Sequence, residues 1–155
     1  WQGGELSESE IQEGATLVAS YTSKAWESGF SSLDVFWSRR SQFTKAAPSG
    51  TYLSRGSFYV SGKKNYLKGA RLGIAIAART SGEDIEFIAL SEKAAGNFKN
   101  HALLRPGNES NSKLSERLAR LLAMALGVKF SKSLADCIRS KVPNKKSSIA
   151  ELMNL

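Results

Sequence analysis

A single cysteine and a single histidine are all that the 155 residues hold of the soft ligands and the commonest base. One thiol excludes an internal disulfide framework, and with one imidazole it leaves too little to build a structural zinc site. Neither a serine–acid pair nor a cysteine brackets His101 in the sequence, so the histidine is read as incidental rather than as a general base. Long apolar runs are missing as well. Nothing approaches the roughly 18 residues that a membrane-spanning helix requires. The opening Trp1-Gln2-Gly3-Gly4-Glu5-Leu6 has neither the basic nor the apolar region of a signal peptide, and no initiator methionine. The expectation is a cytoplasmic protein, processed or cut from something longer, with no membrane partner. A P-loop is absent too: Gly56 and Gly62 stand one residue too far apart, and Lys64 follows Lys63 where serine or threonine is required. No cofactor and no metal are expected, and no enzymatic activity.

Acidic residues are also short. Lysine and arginine total 22 against 14 acids, for a net charge of +8. An excess of that size draws polyanions and speeds encounter with them, which points to nucleic acid. An anionic membrane surface would call for a strongly basic amphipathic helix, and none stands out. The hydrophobic share of 41% suits a folded chain of ordinary domain size.

What is present concentrates in residues 47–66. Pro48-Ser49-Gly50 is a turn by composition, since proline presets one backbone angle and glycine accepts positive φ. Gly56-Ser57-Phe58-Tyr59-Val60-Ser61-Gly62 reads as a short strand between glycines, with Lys63, Lys64 and Asn65 at its exit. Glycines that free backbone N–H groups, with lysines beside them, suit a phosphate. The aromatic residues Phe36, Trp37, Phe43, Tyr52, Phe58, Tyr59 and Tyr66 are interleaved with Arg39, Arg40, Lys45, Arg55, Lys63 and Lys64. That pattern serves base stacking, but it also fills a β core, and Trp37 and Phe58 are assigned to the core.

Elsewhere the periodicities are ordinary. Ser7-Glu8-Ser9-Glu10 is a capping box, opening a helix over 8–27 that ends near Gly29. A strand is expected over 34–39, with 42–45 as a short continuation. Residues 71–79 and 84–90 form a hairpin around Ser81-Gly82-Glu83. In its first strand the small Gly73, Ala75 and Ala77 leave room for close packing on one face. Residues 91–97 suggest one helical turn, and 101–105 a strand halted by Pro106-Gly107. Leu114, Leu118, Leu121, Leu122 and Ala125 mark a helix capped near Gly127, and a second helix over 132–141 buries Leu134, Cys137 and Ile138. Residues 143–148 read as a basic linker and 149–155 as a helix-prone segment. The fold class is therefore α+β, a mixed or antiparallel sheet with helices packed against it.

The order of these pieces resembles the NFACT-R domain of the RqcH/NEMF family of ribosome-associated quality control factors. The likeness runs over about residues 10–67. It rests on Ile11-Gln-Glu-Gly-Ala, Ala25-Trp26, Lys45-Ala-Ala-Pro-Ser-Gly-Thr-Tyr-Leu and Gly56-Ser-Phe-Tyr-Val-Ser-Gly-Lys-Lys-Asn-Tyr-Leu. Arg105-Pro-Gly-Asn also resembles a Pro-Gly turn of archaeal members. The resemblance implies a non-catalytic RNA-binding module, with tRNA and large-subunit rRNA as partners, acting on stalled large ribosomal subunits that carry peptidyl-tRNA. It places the RNA contacts on Lys45, Ser49, Gly50, Arg55, Gly56, Ser57, Gly62, Lys63, Lys64 and Asn65, with Pro48 shaping the turn. It also implies a partial NFACT-R-like domain over 1–108 and a C-terminal helical segment over 109–155 packed on it. The family's NFACT-N, helix-hairpin-helix and coiled-coil parts have no counterpart in this sequence, and Gly14 stands where alanine is usual. Peptide tailing by this chain alone is therefore not expected. A protein-binding or adhesion role is the alternative, suggested by bacterial relatives labelled fibronectin-binding.

Overall fold

The structure, a computed structural model, describes residues 6–46, 48–81, 84–143 and 145–153. The chain begins with helix α1 (Glu8–Ser20), whose start is the expected capping box. The Ser7 hydroxyl accepts from the Glu10 amide at 3.3 Å, and the Glu10 carboxylate accepts from the Ser7 amide at 2.8 Å. The single helix expected over 8–27 is broken after Ser20. Thr22 leaves helical geometry and caps the short α2 (Ser23–Glu27), while its hydroxyl donates back to the Val18 carbonyl at 2.9 Å. The break turns Ala25 and Trp26 into the core, and Val18 and Tyr21 remain exposed.

Strands β1 (Ser32–Trp37) and β4 (Asn65–Arg71) pair antiparallel into a ribbon. Between them lie a 3-10 turn (Arg40–Gln42) and the two-residue strands β2 (Phe43–Thr44) and β3 (Tyr59–Val60), which pair with each other. The strand expected over 56–62 thus shrinks to Tyr59 and Val60, because glycine at both ends leaves little to hold it extended. Strand β4 was not foreseen. Its Lys68-Gly69 interior obscures the alternation, and Gly69, at φ +67°, is held by its amide donating to Asp34 Oδ1 at 2.9 Å.

Strands β5 (Ile74–Ser81), β6 (Asp84–Leu90), β7 (Asn100–Glu109) and β8 (Ser147–Met153) form one antiparallel sheet in the order β6-β5-β7-β8. The β5–β6 hairpin is as expected, although Gly82 and Glu83 of its turn lie outside the described residues. Two expectations fail here. Strand β7 continues through Pro106-Gly107 on a bulge, with Pro106 and Glu109 both opposite Ser147. Within the segments assigned to a linker and a helix, Ser147–Met153 is instead edge strand β8, since pairing with β7 outweighs a weak helical preference, while Asn144, Asn154 and Leu155 of those segments lie outside the described residues. Gly107 permits the approach: a Cβ there would stand 2.5 Å from the Ser148 backbone nitrogen.

Helix α4 (Asn111–Ala125) buries Leu114, Leu118 and Leu122, and α5 (Lys132–Arg139) buries Ala135 and Ile138. They join Ile74, Ile76, Phe87, Leu104 and Trp26 in the main core. Cys137 is exposed, not buried, because α5 turns the side of Ala135 and Ile138 inward. On the opposite sheet face Ala75 and Leu103 pack with Ala95 of α3 (Glu92–Ala95), where the small residues of β5 do admit close contact. Gly73 is closer still. The Ser20 hydroxyl donates to its carbonyl at 2.9 Å, its amide lies 2.8 Å from the same oxygen, and a Cβ would fall 2.1 Å from Arg105 Nη1.

Candidate nucleic-acid interface

The β1–β4 ribbon has two unlike faces. Leu33, Val35 and Leu67 lie against the core, next to α1. Phe36 and Tyr66 are register partners, so both side chains project from one face. Their ring centroids are 6.1 Å apart, and 41% of Phe36 and 64% of Tyr66 remain exposed. The Lys64 ammonium sits over the Phe36 ring, 4.9 Å from its centroid.

The smaller β2–β3 pair repeats this chemistry. Phe43 and Phe58 meet edge to face at 6.4 Å, again about half exposed, and Lys45 Nζ lies 6.0 Å from the Phe58 centroid. The sequence-based assignment of Trp37 and Phe58 to a β core is therefore wrong. Trp37, 39% exposed, ends β1 on the side that α1 covers, beyond the half-buried Val35, and Phe58, 54% exposed, precedes β3 and lies outside its pairing.

Between the two aromatic pairs runs the bend of Ser61, Gly62, Lys63 and Lys64. Gly62 adopts φ +73°, a left-handed conformation that glycine takes without penalty. The bend is clamped by a residue that sequence reasoning passed over, Gln42. Its amide nitrogen donates to the carbonyls of Ser61 at 2.8 Å and Lys63 at 2.9 Å, while its Oε1 accepts from the Arg39 amide at 2.9 Å. The Ser61 amide donates to the Gln42 carbonyl at 2.9 Å. Two carbonyls of the bend, those of Ser61 and Lys63, are thereby satisfied. The next three amides, of Gly62, Lys63 and Lys64, have no protein acceptor among the described residues. Successive free amides beside ammonium groups make a surface with an affinity for anions. A glutamine between a serine and a phenylalanine carries no motif, and only the fold brings it to the bend.

The remaining candidates separate into two groups. Lys63 and Lys64 are exposed at the bend, and Asn65 opens β4 opposite Trp37. Lys45 is brought in through Phe58. Ser49 and Gly50 lie in a local turn closed by the Thr51 amide donating to the Pro48 carbonyl at 3.0 Å, with Gly50 at φ +83°. Arg55, Gly56 and Ser57 form a like turn, closed by the Ser57 amide on the Ser54 carbonyl, with Gly56 at φ +88°. Both loops are exposed, and among the described residues no hydrogen bond ties either to the bend. Ala47 lies outside the described residues. Lys45, Arg55, Lys63 and Lys64 form no salt bridge with a described carboxylate, unlike Arg79, Arg105, Arg117 and Arg120, which pair with Glu86, Glu92, Glu109 and Glu116.

Two hollows lie elsewhere on the surface. A cleft of about 520 Å³ between α1, β4 and α3 mixes Glu13 and Glu92 with Lys68, Arg71 and Lys93, so its charges largely offset one another. A smaller apolar pocket of about 200 Å³ opens beside Phe36 and Trp37, lined also by Leu6, Ile11 and Val18. No group of histidine, cysteine, aspartate or glutamate among the described residues is arranged to hold a metal ion. No described helix is long and apolar enough to cross a membrane.

Comparison with known proteins agrees with the chemistry of this surface. Residues 2–62 match the family described as NFACT protein RNA binding domain. The chain is similar to the archaeal Rqc2 homolog aRqcH of Methanocaldococcus jannaschii, 29% identical over 121 residues that cover 77% of this chain and 18% of that protein. It is also similar to the ribosome quality control complex subunit NEMF homolog of Drosophila melanogaster, 33% identical over 82 residues, 53% of this chain and 8% of that one. The chain thus spans less than a fifth of the length of these relatives. No solved structure matches it.

Proposed function

We propose that this chain carries an NFACT-R domain of the RqcH/NEMF family and binds RNA as a module of a ribosome-associated quality control factor. Its ligand on this reading is tRNA or the rRNA of the large subunit, held mainly through phosphates, and the module performs no chemistry of its own. The observation that carries the reading is the bend at Gly62: three unoccupied amides flanked by Lys63 and Lys64, neither neutralised by a described carboxylate. Glycine lets the main chain approach the sugar–phosphate strand closely, and the ammonium groups displace its counterions.

The test is the paired substitution Lys63→Ala/Lys64→Ala, with binding to tRNA and to large-subunit rRNA followed across a salt series. Removing two phosphate contacts lowers the slope of log K against log salt by about 1.4 to 1.8, and the affinity falls with it. Both side chains are exposed, so thermal stability is expected to stay as it was. An unchanged affinity and slope would remove the bend from RNA recognition.

A further inference from the structure

Phosphate contact explains the lysines and the bend but leaves the aromatic rings without a role. Phe36, Tyr66, Phe43 and Phe58 keep about 40–65% of their surface in water, although the same chain fully buries Trp26 and Phe87. Exposed apolar residues scattered singly need no explanation, but rings gathered in contacting pairs, each beside a lysine that pairs with no described carboxylate, form an organised surface.

The geometry decides which form of nucleic acid suits such a surface. In a duplex every base face is already stacked, and only backbone and groove edges are offered. An unpaired nucleotide presents its π-face to an aromatic ring while its phosphate reaches a neighbouring cation. A protein that gripped only the backbone of a duplex would gain nothing from aromatic rings beside its lysines. Chain connectivity also sets an order. β1 leads through residues 38–42 into β2, and β3 leads through residues 61–64 into β4, so the bend lies between the Phe36–Tyr66 pair and the Phe43–Phe58 pair.

We propose that, on the RNA-binding reading above, this surface takes unpaired nucleotides, a single-stranded segment or a loop. The pairs Phe36/Tyr66 and Phe43/Phe58 act as stacking stations on either side of the phosphate-binding bend. Lys64 and Lys45 take phosphates beside their rings, and Lys63 with the free amides takes those between. The inference gives that reading a ligand class and is independent of whether the RNA comes from tRNA or from the ribosome.

The experiment uses the whole 155-residue chain and three RNAs of about 12 nucleotides, within the footprint usual for such surfaces. They are a single strand, its blunt duplex, and a strand of the same length without bases. Fluorescence anisotropy is expected to rank the single strand about tenfold or more above both others at equal salt. Tyr66→Leu and Phe58→Leu are each expected to weaken single-strand binding about tenfold without changing its salt slope. Tyr66→Phe, which keeps the ring, retains the affinity, so a mere loss of packing is told apart from a loss of stacking. If the three RNAs bind alike, or the leucine variants bind as the parent does, stacking is overturned while RNA binding stands. If an acidic peptide of equal charge displaces the single strand as well as RNA does, the surface is a general polyanion site and the inference falls. If none of the RNAs binds, the RNA-binding reading itself has failed.

Discussion

The side-chain amide of Gln42 donates to the carbonyl of Lys63 at 2.9 Å. That bond, with its twin to Ser61, engages two carbonyls of the bend, and the amides of Gly62, Lys63 and Lys64, with no acceptor among the described residues, are left for an external anion. Gln42 is thus a positioning residue. It supplies no charge, yet it pre-organises the groups that do.

Gln42→Ala is therefore expected to weaken RNA binding severalfold while leaving the salt slope at its parent value, because the lysines remain. The freed carbonyls return to water, so the loss of stability is modest, about 1 kcal/mol. Anisotropy across a salt series and a thermal melt check both parts. A parent-like affinity in a folded variant would show that the clamp has no role in binding.

Two glycines are expected to respond unequally to alanine. At Gly73 the added Cβ meets the far end of the Arg105 side chain, which can swing away at the loss of its bonds to the Leu72 carbonyl and Glu92. At Gly107 it meets the backbone of Ser147 and Ser148, which cannot move without unpairing β8. Gly107→Ala is expected to lower stability by about 2 to 3 kcal/mol and Gly73→Ala by about 1. Urea denaturation that reversed this order would contradict the bulge at Pro106–Glu109.

Trp26 ties the α1–α2 elbow to β8. It is 1% exposed, and its indole N–H is shared between the Ser147 hydroxyl at 3.0 Å and the Lys146 carbonyl at 3.1 Å. Trp26→Phe removes the donor and part of the core volume, with a loss of about 2 kcal/mol. Amide hydrogen exchange is expected to quicken first in β8, an edge strand paired on one side. Uniform acceleration across the sheet would count against this tie.

The capping box titrates. The Ser7 hydroxyl and then the Ser7 amide hold the Glu10 carboxyl below its ordinary range. A carboxylate whose folded value is depressed adds stability above its unfolded value and loses it as pH falls through the folded one. The stability difference between the parent and Ser7→Ala is thus expected to be full at neutral pH and to shrink below about pH 4 to the part that comes from the Ser7 hydroxyl accepting from the Glu10 amide. An NMR titration of the Glu10 carboxyl should show its midpoint rise in the variant. A midpoint left in place would mean that Ser7 is not the cause.

Interactions that close within a few residues were legible beforehand. The Ser7–Glu10 box, the local turn at Gly50, the leucine stripe of α4 and the β5–β6 pairing all follow from neighbours along the chain, whereas Gly56, which sits in a turn, reads in the sequence as the start of a strand. Strand β8 was not legible, because Ser147–Met153 acquires its structure by pairing with β7. Nor was the break at Thr22, where the gain lies in sending Trp26 into a core built from distant segments.

For the interface the division is sharper. Sequence alone determined the ingredients: a basic excess, glycines where the chain must bend, and aromatics among the cations, in an order that resembles that of the NFACT RNA binding domain. Only the tertiary structure decided that Phe36, Phe43, Phe58 and Tyr66 stay in the solvent and that Gln42 clamps the bend. Alternation along a strand tells which residues share a face. Whether that face is covered depends on layers contributed from elsewhere in the chain, and here α1 covers one side of the β1–β4 ribbon and leaves Phe36 and Tyr66 on the other side open to solvent.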